Sequence, residues 1–252
     1  MITVESLSKD YQGKPALRDI SIGINPGEIV GLVGPSGAGK STLLRTLNGF
    51  VAPTSGTVAV CGRSPAALHG RALRAHRSEV GMVYQRFHLV GRKSVRDNAV
   101  AGSAGRVATW RTLVGMFPAH ERRAATEALH RVGLGDHAGQ RADTLSGGQQ
   151  QRVAIARTLV QDPQVVLADE PVASLDPGSS ERVLALLRSL AHDDGRTVLV
   201  SLHQVEYARR FCDRVIALDG GRVVIDSCPA EILTSDWQRL YAAPELAVGV
   251  SL

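Results

Sequence analysis

Residues 34–42 read Gly-Pro-Ser-Gly-Ala-Gly-Lys-Ser-Thr and match the pattern G-x-x-x-x-G-K-S/T. Glycines allow backbone amides to curl around phosphate oxygens, and the N-terminus of a following helix adds favourable partial charge. The spacing predicts that Lys40 contacts the β- and γ-phosphates and that the Ser41 hydroxyl binds Mg²⁺. Because a β-like run precedes the motif and a helical pattern follows it, we interpret it as a phosphate-binding loop rather than a glycine-rich turn. The predicted binding residues are Gly34, Pro35, Ser36, Gly37, Ala38, Gly39, Lys40, Ser41 and Thr42.

A second chemical feature is the pair of carboxylates that follows the apolar run 165–168. In an open α/β sheet, ligands lie at the carboxyl ends of the strands, so Asp169 and Glu170 are expected near the phosphate-binding loop. Asp169 is predicted to hold Mg²⁺, and Glu170 to orient and polarise an attacking water. An acidic pair alone fits a solvated turn, but its combination with the loop favours a functional site.

Residues 145–149, Leu-Ser-Gly-Gly-Gln, open a helical pattern. Ser146 suits an N-cap, and Gly147 and Gly148 leave backbone amides exposed. The pattern predicts a second anion-binding helix terminus, with an ordinary capped helix as the alternative. Two phosphate cradles in one short chain would be unusual for a simple P-loop enzyme.

The elements that must position these residues follow from hydrophobic patterning. Short β-like runs are predicted at 2–4, 20–22, 28–33 and 56–60, and a helix at 41–48. A helix is predicted at 118–132, after an ambiguous stretch at 102–116. From residue 147 onward, helices at 149–161, 180–192 and 205–211 alternate with strands at 164–168, 197–202, 214–218 and 222–225. This alternation predicts an α/β fold with a largely parallel sheet.

These motifs, taken in order along the chain, resemble the ATP-binding cassette (ABC) family. The resemblance implies a P-loop NTPase with a RecA-like core, an antiparallel β subdomain and an inserted helical subdomain. It divides a single nucleotide-binding domain, 1–252, into the β subdomain and P-loop part of the core (1–85), the helical subdomain (86–145), the rest of the core (146–225) and a C-terminal tail (226–252).

The resemblance also gives roles to single residues. It implies that Tyr11 stacks on adenine, that Gln85 joins the γ-phosphate site to the helical insertion, and that His203 contacts the γ-phosphate. Asp176 would lie in a loop that couples two nucleotide sites. Without the resemblance, Tyr11 and His203 would be ordinary residues at a turn and at a strand end. The expected catalytic set is Glu170, His203 and Gln85, the Mg²⁺ set is Ser41, Gln85 and Asp169, and the remaining nucleotide-binding residues are Tyr11, Ser146, Gly147, Gly148, Gln149 and Asp176.

In the family, such cassettes form head-to-tail homodimers with ATP between the chains. Residues 146–149 of one chain would then close over ATP held by Lys40 of the other, which explains the second phosphate cradle. The resemblance further implies separate integral-membrane permease subunits, an indirect link to a periplasmic or extracellular solute-binding protein, and a peripheral position on the cytoplasmic face of the inner membrane. No apolar stretch approaches the 18 or so residues of a membrane span.

Composition argues against nucleic acid as a partner. The net charge is +5, but the 25 Arg and 4 Lys are scattered, and aromatic residues make up only 4%. The chain also lacks the coiled-coil insertion or the second cassette of non-transport ABC ATPases. A small-molecule kinase, another alternative, would leave residues 146–149 without a role.

Several segments are similar to the ATP-binding subunits of phosphonate importers. They are 109–113, 115–118, 140–143, 170–177 and 202–205, whereas Arg86 and His88 stand where small polar residues are expected. Importers of phosphate, phosphite or amino acids are the alternatives. Gln85 and residues 86–91, with apolar side chains at Phe87, Leu89 and Val90, are expected to form the surface that couples to the permease.

Overall fold

A computed structural model describes residues 1–241, so the predicted tail at 226–252 lies partly outside the described residues. The first part of the chain forms an antiparallel sheet of three strands in the order β2-β1-β4. Their bounds are β1 (Ile2–Tyr11), β2 (Lys14–Ile24) and β4 (Ser55–Val60). The first two strands are much longer than the predicted runs at 2–4 and 20–22, because exposed polar residues in both continue the pairing.

The central sheet has six strands in the order β5-β6-β7-β3-β8-β9. The first five run parallel, and the last pairs antiparallel with its neighbour. The predicted α/β class with a largely parallel sheet is therefore confirmed. The strands are β3 (Ile29–Val33), β5 (Val80–Val83), β6 (Val165–Ala168), β7 (Thr197–Ser201), β8 (Arg214–Asp219) and β9 (Arg222–Ser227).

Nine α-helices occur within residues 1–241, and each of them is too short or too polar to span a bilayer. The helices are α1 (Lys40–Leu47), α2 (Gly70–Glu79), α3 (Val95–Val100), α4 (Thr109–Leu113), α5 (Ala119–Arg131), α6 (Gly147–Gln161), α7 (Pro177–His192), α8 (Val205–Phe211) and α9 (Thr234–Tyr241).

The parallel strands are buried on both faces and separate two apolar cores. In β3, Ile29 and Val33 pack with α5, α6, α7 and α8, whereas Val30 and Leu32 pack with α1 and the antiparallel sheet. This assignment follows from the alternation of side chains along a strand. Both faces of the central sheet are thus covered by apolar side chains. A polar binding site can therefore form only at the ends of its strands.

Two elements of the core were not predicted from the sequence, α2 and β5. The strand β5 has only four residues, all buried, and follows α2 without a turn residue. Its Gly81 is required by packing, because a Cβ there would lie 2.7 Å from Thr158 Cγ2 and 2.8 Å from Pro163 Cγ. A short, fully buried parallel strand has no alternating pattern by which to recognise it.

Candidate functional site

The strand order brings the predicted site residues to one edge of the central sheet. β6 and β7 are neighbours, and β7 pairs with β3, all three in parallel. Asp169 and Glu170 follow β6, His203 lies just after β7, and residues 34–39 follow β3. Gln85 follows β5, the strand next to β6. Because parallel strands present their carboxyl ends at the same edge, segments distant in sequence converge there.

The phosphate-binding loop depends on two glycines with positive φ. Gly34 has φ 142°, and a Cβ there would lie 2.1 Å from the Leu218 carbonyl oxygen. Gly39 has φ 107°, and a Cβ there would lie 2.5 Å from the Ala16 carbonyl oxygen. Neither position accepts a side chain, so the loop is fixed between β8 and β2.

The loop borders a cavity of about 160 Å³. Gly37, at φ 82°, has no heavy atom within 4 Å of an added Cβ, so its backbone is accessible. The lining residues are Ala16, Ser36, Gly37, Ala38, Gly39, Lys40, Ser41, Thr42 and Glu170. An open glycine backbone beside a lysine and a helix N-terminus is suited to phosphate.

Lys40 lies almost completely buried at the base of this cavity. Its Nζ donates hydrogen bonds to the carbonyl oxygens of Gly34 (2.6 Å) and Pro35 (3.0 Å). Burial lowers the pKa of Lys40, and the negative charges of Glu170 and Asp169 oppose that shift. The loop carbonyls thus hold the ammonium group at the position where phosphate charge is expected.

Asp169 is buried between two hydroxyl groups. Its Oδ1 accepts hydrogen bonds from Ser41 Oγ (2.8 Å) and from Ser201 Oγ (3.2 Å). A carboxylate and a hydroxyl oxygen are hard donors of the kind that Mg²⁺ prefers. The donor set of Ser41 and Asp169 therefore fits this ion.

Glu170 is positioned by its backbone as well as by its side chain. It has φ 49°, an uncommon conformation for a non-glycine residue. Its N–H donates to Ser201 Oγ (2.8 Å), and its Oε1 lies 2.5 Å from His203 Nε2. Glu170 also lines the cavity beside the phosphate-binding loop, so it faces the place where a terminal phosphate and a water could meet.

Residues 146–149 form a second helix terminus, at the start of α6. Ser146 Oγ accepts from the Gln149 N–H (3.3 Å), and Gln149 Oε1 accepts from the Ser146 N–H (2.9 Å), which completes a capping box. Gln149 Nε2 also lies 3.2 Å from His137 Nε2. No residue of this terminus lines the cavity at Lys40. The start of α6 is thus a polar helix terminus separate from the one at the phosphate-binding loop.

The start of α7 lies beside the start of α6. A Cβ on Gly148 would lie 2.8 Å from Ser179 Cβ. Asp176 caps α7 by accepting from the Ser179 N–H (2.9 Å), and the hydrogen bonds from Ser179 lower the pKa of the Asp176 carboxyl. Residues 146–149 and the predicted coupling loop at Asp176 are therefore adjacent within one chain.

Tyr11 and Gln85 lie outside the cavity lining. Tyr11 is 45% exposed at the end of β1, with Lys9 Nζ 5.0 Å from its ring centroid. Gln85 is exposed, two residues after the end of β5. The roles assigned to these two residues, like those of the other site residues, stay predictions.

Three contributors to the site were not recognised in the sequence. Ser201 is the buried end of β7 and positions both Asp169 and Glu170. Ala16 contacts the loop through its carbonyl oxygen, and His137 supports Gln149. The only sequence signal for Ser201 was a serine at the end of the apolar run 197–201, whereas a backbone contact such as that of Ala16 leaves no signal.

The chain is similar to known proteins over most of its length. The ABC transporter family model matches residues 17–173. The phosphonates import ATP-binding protein of Stutzerimonas stutzeri is 49% identical, with 96% of this chain and 90% of the relative covered. The protein of the same name from Maricaulis maris is 50% identical, with 93% and 90% covered.

A solved structure extends this similarity to three dimensions. A dimeric ATP-binding cassette in a post-hydrolysis state, bound to ADP and Pi, superposes with a TM-score of 0.78 and is 32% identical, with 91% of this chain and 99% of that chain covered. The predicted P-loop NTPase fold is therefore confirmed, as is nucleotide binding by the chain. The chain belongs to the ABC transporter family and has the fold of its ATPases.

Proposed function

We propose that this chain is the ATP-hydrolysing subunit of an importer that takes up phosphonates through separate permease subunits. The observation that carries the choice of substrate is the similarity over nearly the whole chain to phosphonates import proteins, at 49% and 50% identity. The expected solute-binding protein would act on the permease and not on this chain. In this arrangement the chain is peripheral on the cytoplasmic face of the inner membrane.

Two polar helix termini support a dimeric site. The cavity at Lys40 is lined by the phosphate-binding loop, Ala16 and Glu170, and by no residue of the α6 start. The capped start of α6 is a separate terminus in the same chain. A head-to-tail homodimer would place Ser146, Gly147, Gly148 and Gln149 of one chain over the ATP held by the other, with Asp176 in the adjoining loop. The related cassette bound to ADP and Pi is dimeric, which agrees with this proposal.

The proposed chemistry follows from the residues at the strand ends. The amides of residues 36–42 and Lys40 would bind the ATP phosphates, and Tyr11 would stack on adenine. Mg²⁺ bound at Ser41, Asp169 and Gln85 would offset the negative charge of the phosphates. Glu170 would accept a proton from the attacking water, and His203 would hold the Glu170 carboxylate and contact the γ-phosphate. Ser201 would keep Asp169 and Glu170 in place.

The division of the chain is part of the same proposal. Residues 1–85 would supply the β subdomain and the P-loop, 86–145 the helical subdomain, 146–225 the rest of the core, and 226–252 the tail. Gln85 lies at the first of these boundaries, so it would report the state of the γ-phosphate to the helical subdomain.

The test is ATP hydrolysis by the chain reconstituted with its permease in membranes. We expect a binding protein loaded with a phosphonate to raise the ATPase rate several-fold, and the same protein with phosphate, phosphite or an amino acid to raise it much less. A rate that responds to phosphite, phosphate or an amino acid and not to phosphonates would overturn the choice of substrate. ATPase activity indifferent to every permease and solute would overturn the transport function.

A further inference from the structure

The segment from α4 to the following turn presents large apolar side chains to solvent. Trp110, Leu113, Val114 and Met116 are 59%, 81%, 63% and 55% exposed, and α4 itself buries none of its residues. An ordinary surface scatters such side chains singly, whereas a contiguous group of this kind marks a contact site. The proposed ATP chemistry uses none of these residues.

The charged side chains of the segment that carries this group are all positive, at Arg106 and Arg111. The sequence from residue 98 to residue 120 contains no Asp or Glu. The next acid, Glu121, is buried against the guanidinium of Arg106, with bonds of 2.6 and 2.7 Å, and that contact lowers the pKa of its carboxyl. The charge of Glu121 is therefore directed inward, away from the surface.

Arginines continue the surface onto α5. Arg122 donates to the carbonyl oxygens of Gly115 (3.2 Å) and Phe117 (3.3 Å), which ties the turn to the helix. Together with Arg96 and Arg123 it lines a shallow cleft of about 270 Å³, where Thr126 and Glu127 form the rest of the lining. Within residues 1–241, Arg96, Arg111 and Arg123 form no ion pair.

We propose that this surface, formed by Trp110, Leu113, Val114 and Met116 with Arg96, Arg111 and Arg123, contacts the headgroup layer of an anionic bilayer. We call it the Trp110 surface. Tryptophan and arginine are the side chains that favour a membrane–water interface, where aliphatic neighbours reach the acyl boundary and guanidinium groups meet lipid phosphates. The apolar side chains project from a short helix and a turn rather than lining a groove. This shape suits a fluid layer better than a folded partner.

The contact would be a shallow and reversible one. Four apolar side chains and a few arginines give weak attachment, comparable to that of other single-signal anchors. This contact depends neither on ATP hydrolysis nor on the solute transported. The chain would then contact lipid directly, in addition to the attachment through permease subunits that we predicted from the sequence.

The test is flotation of the purified chain, without nucleotide or permease, with lipid vesicles. Vesicles of 70% phosphatidylcholine and 30% phosphatidylglycerol should bind at least fivefold more protein than pure phosphatidylcholine vesicles, and 0.5 M NaCl should reduce this binding. The chain has two tryptophans, and Trp237 is buried, so insertion of Trp110 should shift the fluorescence to the blue. Trp110→Phe should remove the shift.

Leu113→Asp and Arg123→Glu should each lower the bound fraction at least fivefold while the melting temperature stays within a few degrees. Leu233→Asp is the matched control and should bind vesicles as the wild-type chain does, since Leu233 is 66% exposed on the segment before α9 and outside the Trp110 surface. Failure of the wild-type chain to bind anionic vesicles, or equal binding by Leu113→Asp, overturns the proposal. If Leu113→Asp instead abolishes co-purification with the permease and vesicles never bind, the surface contacts protein and the lipid assignment is wrong.

Discussion

At the level of single residues, the geometry around Glu170 combines strain with hydrogen bonding. Its φ of 49° costs of the order of 1–3 kcal/mol, and the bond from its N–H to Ser201 Oγ holds that conformation. Strain of this kind persists where the surrounding structure fixes it. The sequence predicted Glu170 and Asp169 from their position after an apolar strand, but the positioning role of Ser201 depends on the pairing of β6 with β7, which no local pattern reports.

Glu170 is the proposed base in ATP hydrolysis. Glu170→Gln keeps the shape of the side chain but cannot accept a proton, so ATP hydrolysis should fall by about 10²–10⁴-fold while ATP still binds. An ATP-bound dimer should accumulate in the presence of Mg²⁺. Phosphate release and size-exclusion chromatography measure the two effects.

Glu206→Gln, on the exposed start of α8, is the control and should hydrolyse ATP at the wild-type rate. A near-normal rate for Glu170→Gln would exclude it as the catalytic carboxylate.

At the level of elements, the starts of α6 and α7 pack closely against each other, and this contact could not be predicted from the sequence. Ser146 and the glycines after it predicted a capped helix, and the capping box is present. The predicted helices begin two residues after the observed start of α6 and three residues after that of α7. The difference arises because weak helix formers such as glycine and serine fill both first turns. The contact between the two helix starts comes from tertiary packing alone.

This contact distinguishes Gly148 from Gly147. A Cβ at Gly148 would lie 2.6 Å from Ser179 Oγ, whereas one at Gly147 meets only ordinary contacts at 3.7 Å or more. Gly148→Ala should therefore destabilise the protein by about 1–3 kcal/mol, and Gly147→Ala by about 0.5 kcal/mol or less. Urea unfolding of both variants measures the difference. Ser179→Gly should recover part of the loss in Gly148→Ala, and equal stability of the two alanine variants would contradict the packing argument.

The junction of α1 and α2 gives a prediction for pH. His76 on α2 is buried, with Nε2 3.1 Å from the Leu47 carbonyl oxygen and with Nδ1 unpartnered among the described residues. Burial lowers the pKa of His76 below its ordinary value of 6.5, and Arg63 and Arg77 act in the same direction against the Leu47 bond and Glu79. Below pH 6.5 the unfolded chain binds the proton more readily than the folded one. The stability contributed by neutral His76 is therefore present above this pH and is lost as the pH falls towards the folded pKa.

His76→Gln keeps a donor for Leu47 but does not titrate. The free energy of unfolding of the wild-type chain should fall by up to about 1.4 kcal/mol per pH unit more steeply than that of the variant between pH 6.5 and 5. Denaturant unfolding at several pH values measures both slopes. Parallel curves for the two proteins would mean that His76 is not held neutral by the fold.

At the level of the whole molecule, the order of the strands explains how the site is assembled from separate segments. The alternation of helices and strands predicted a parallel sheet, and the motifs predicted which strand ends carry chemistry. The order β5-β6-β7-β3 could not be read from composition or periodicity, since it depends on which strand edges pair in three dimensions. Resemblance to a family supplied what local patterns lacked, including the separation of the antiparallel sheet from the central one.

The loop between β5 and α3 is the surface that we predicted to couple the nucleotide site to the permease. Arg157 on α6 donates to the carbonyl oxygens of Phe87 (3.1 Å) and His88 (2.7 Å), and Asn98 holds Val90 through both backbone groups. Leu89 packs against the core, whereas Val90 is 60% exposed. The expected coupling surface at 86–91 thus has an anchored side and an open side.

Phe87 lies at the junction of this loop with the α6 terminus, since its ring is 3.8 Å from the place of a Cβ on Gly147. A charge there should disturb docking of a permease without entering the ATP cavity. Phe87→Asp should therefore reduce transport and co-purification with the permease at least tenfold, while ATP affinity of the isolated chain changes less than about threefold. Phe87→Ala should give a smaller loss of transport and of co-purification if the aromatic ring supplies the contact.

Val224→Asp, on the exposed face of β9, is the matched control and should leave transport unchanged. Normal co-purification of Phe87→Asp, or an equal loss of ATP binding through misfolding, would show that this loop only joins the helical insertion to the core.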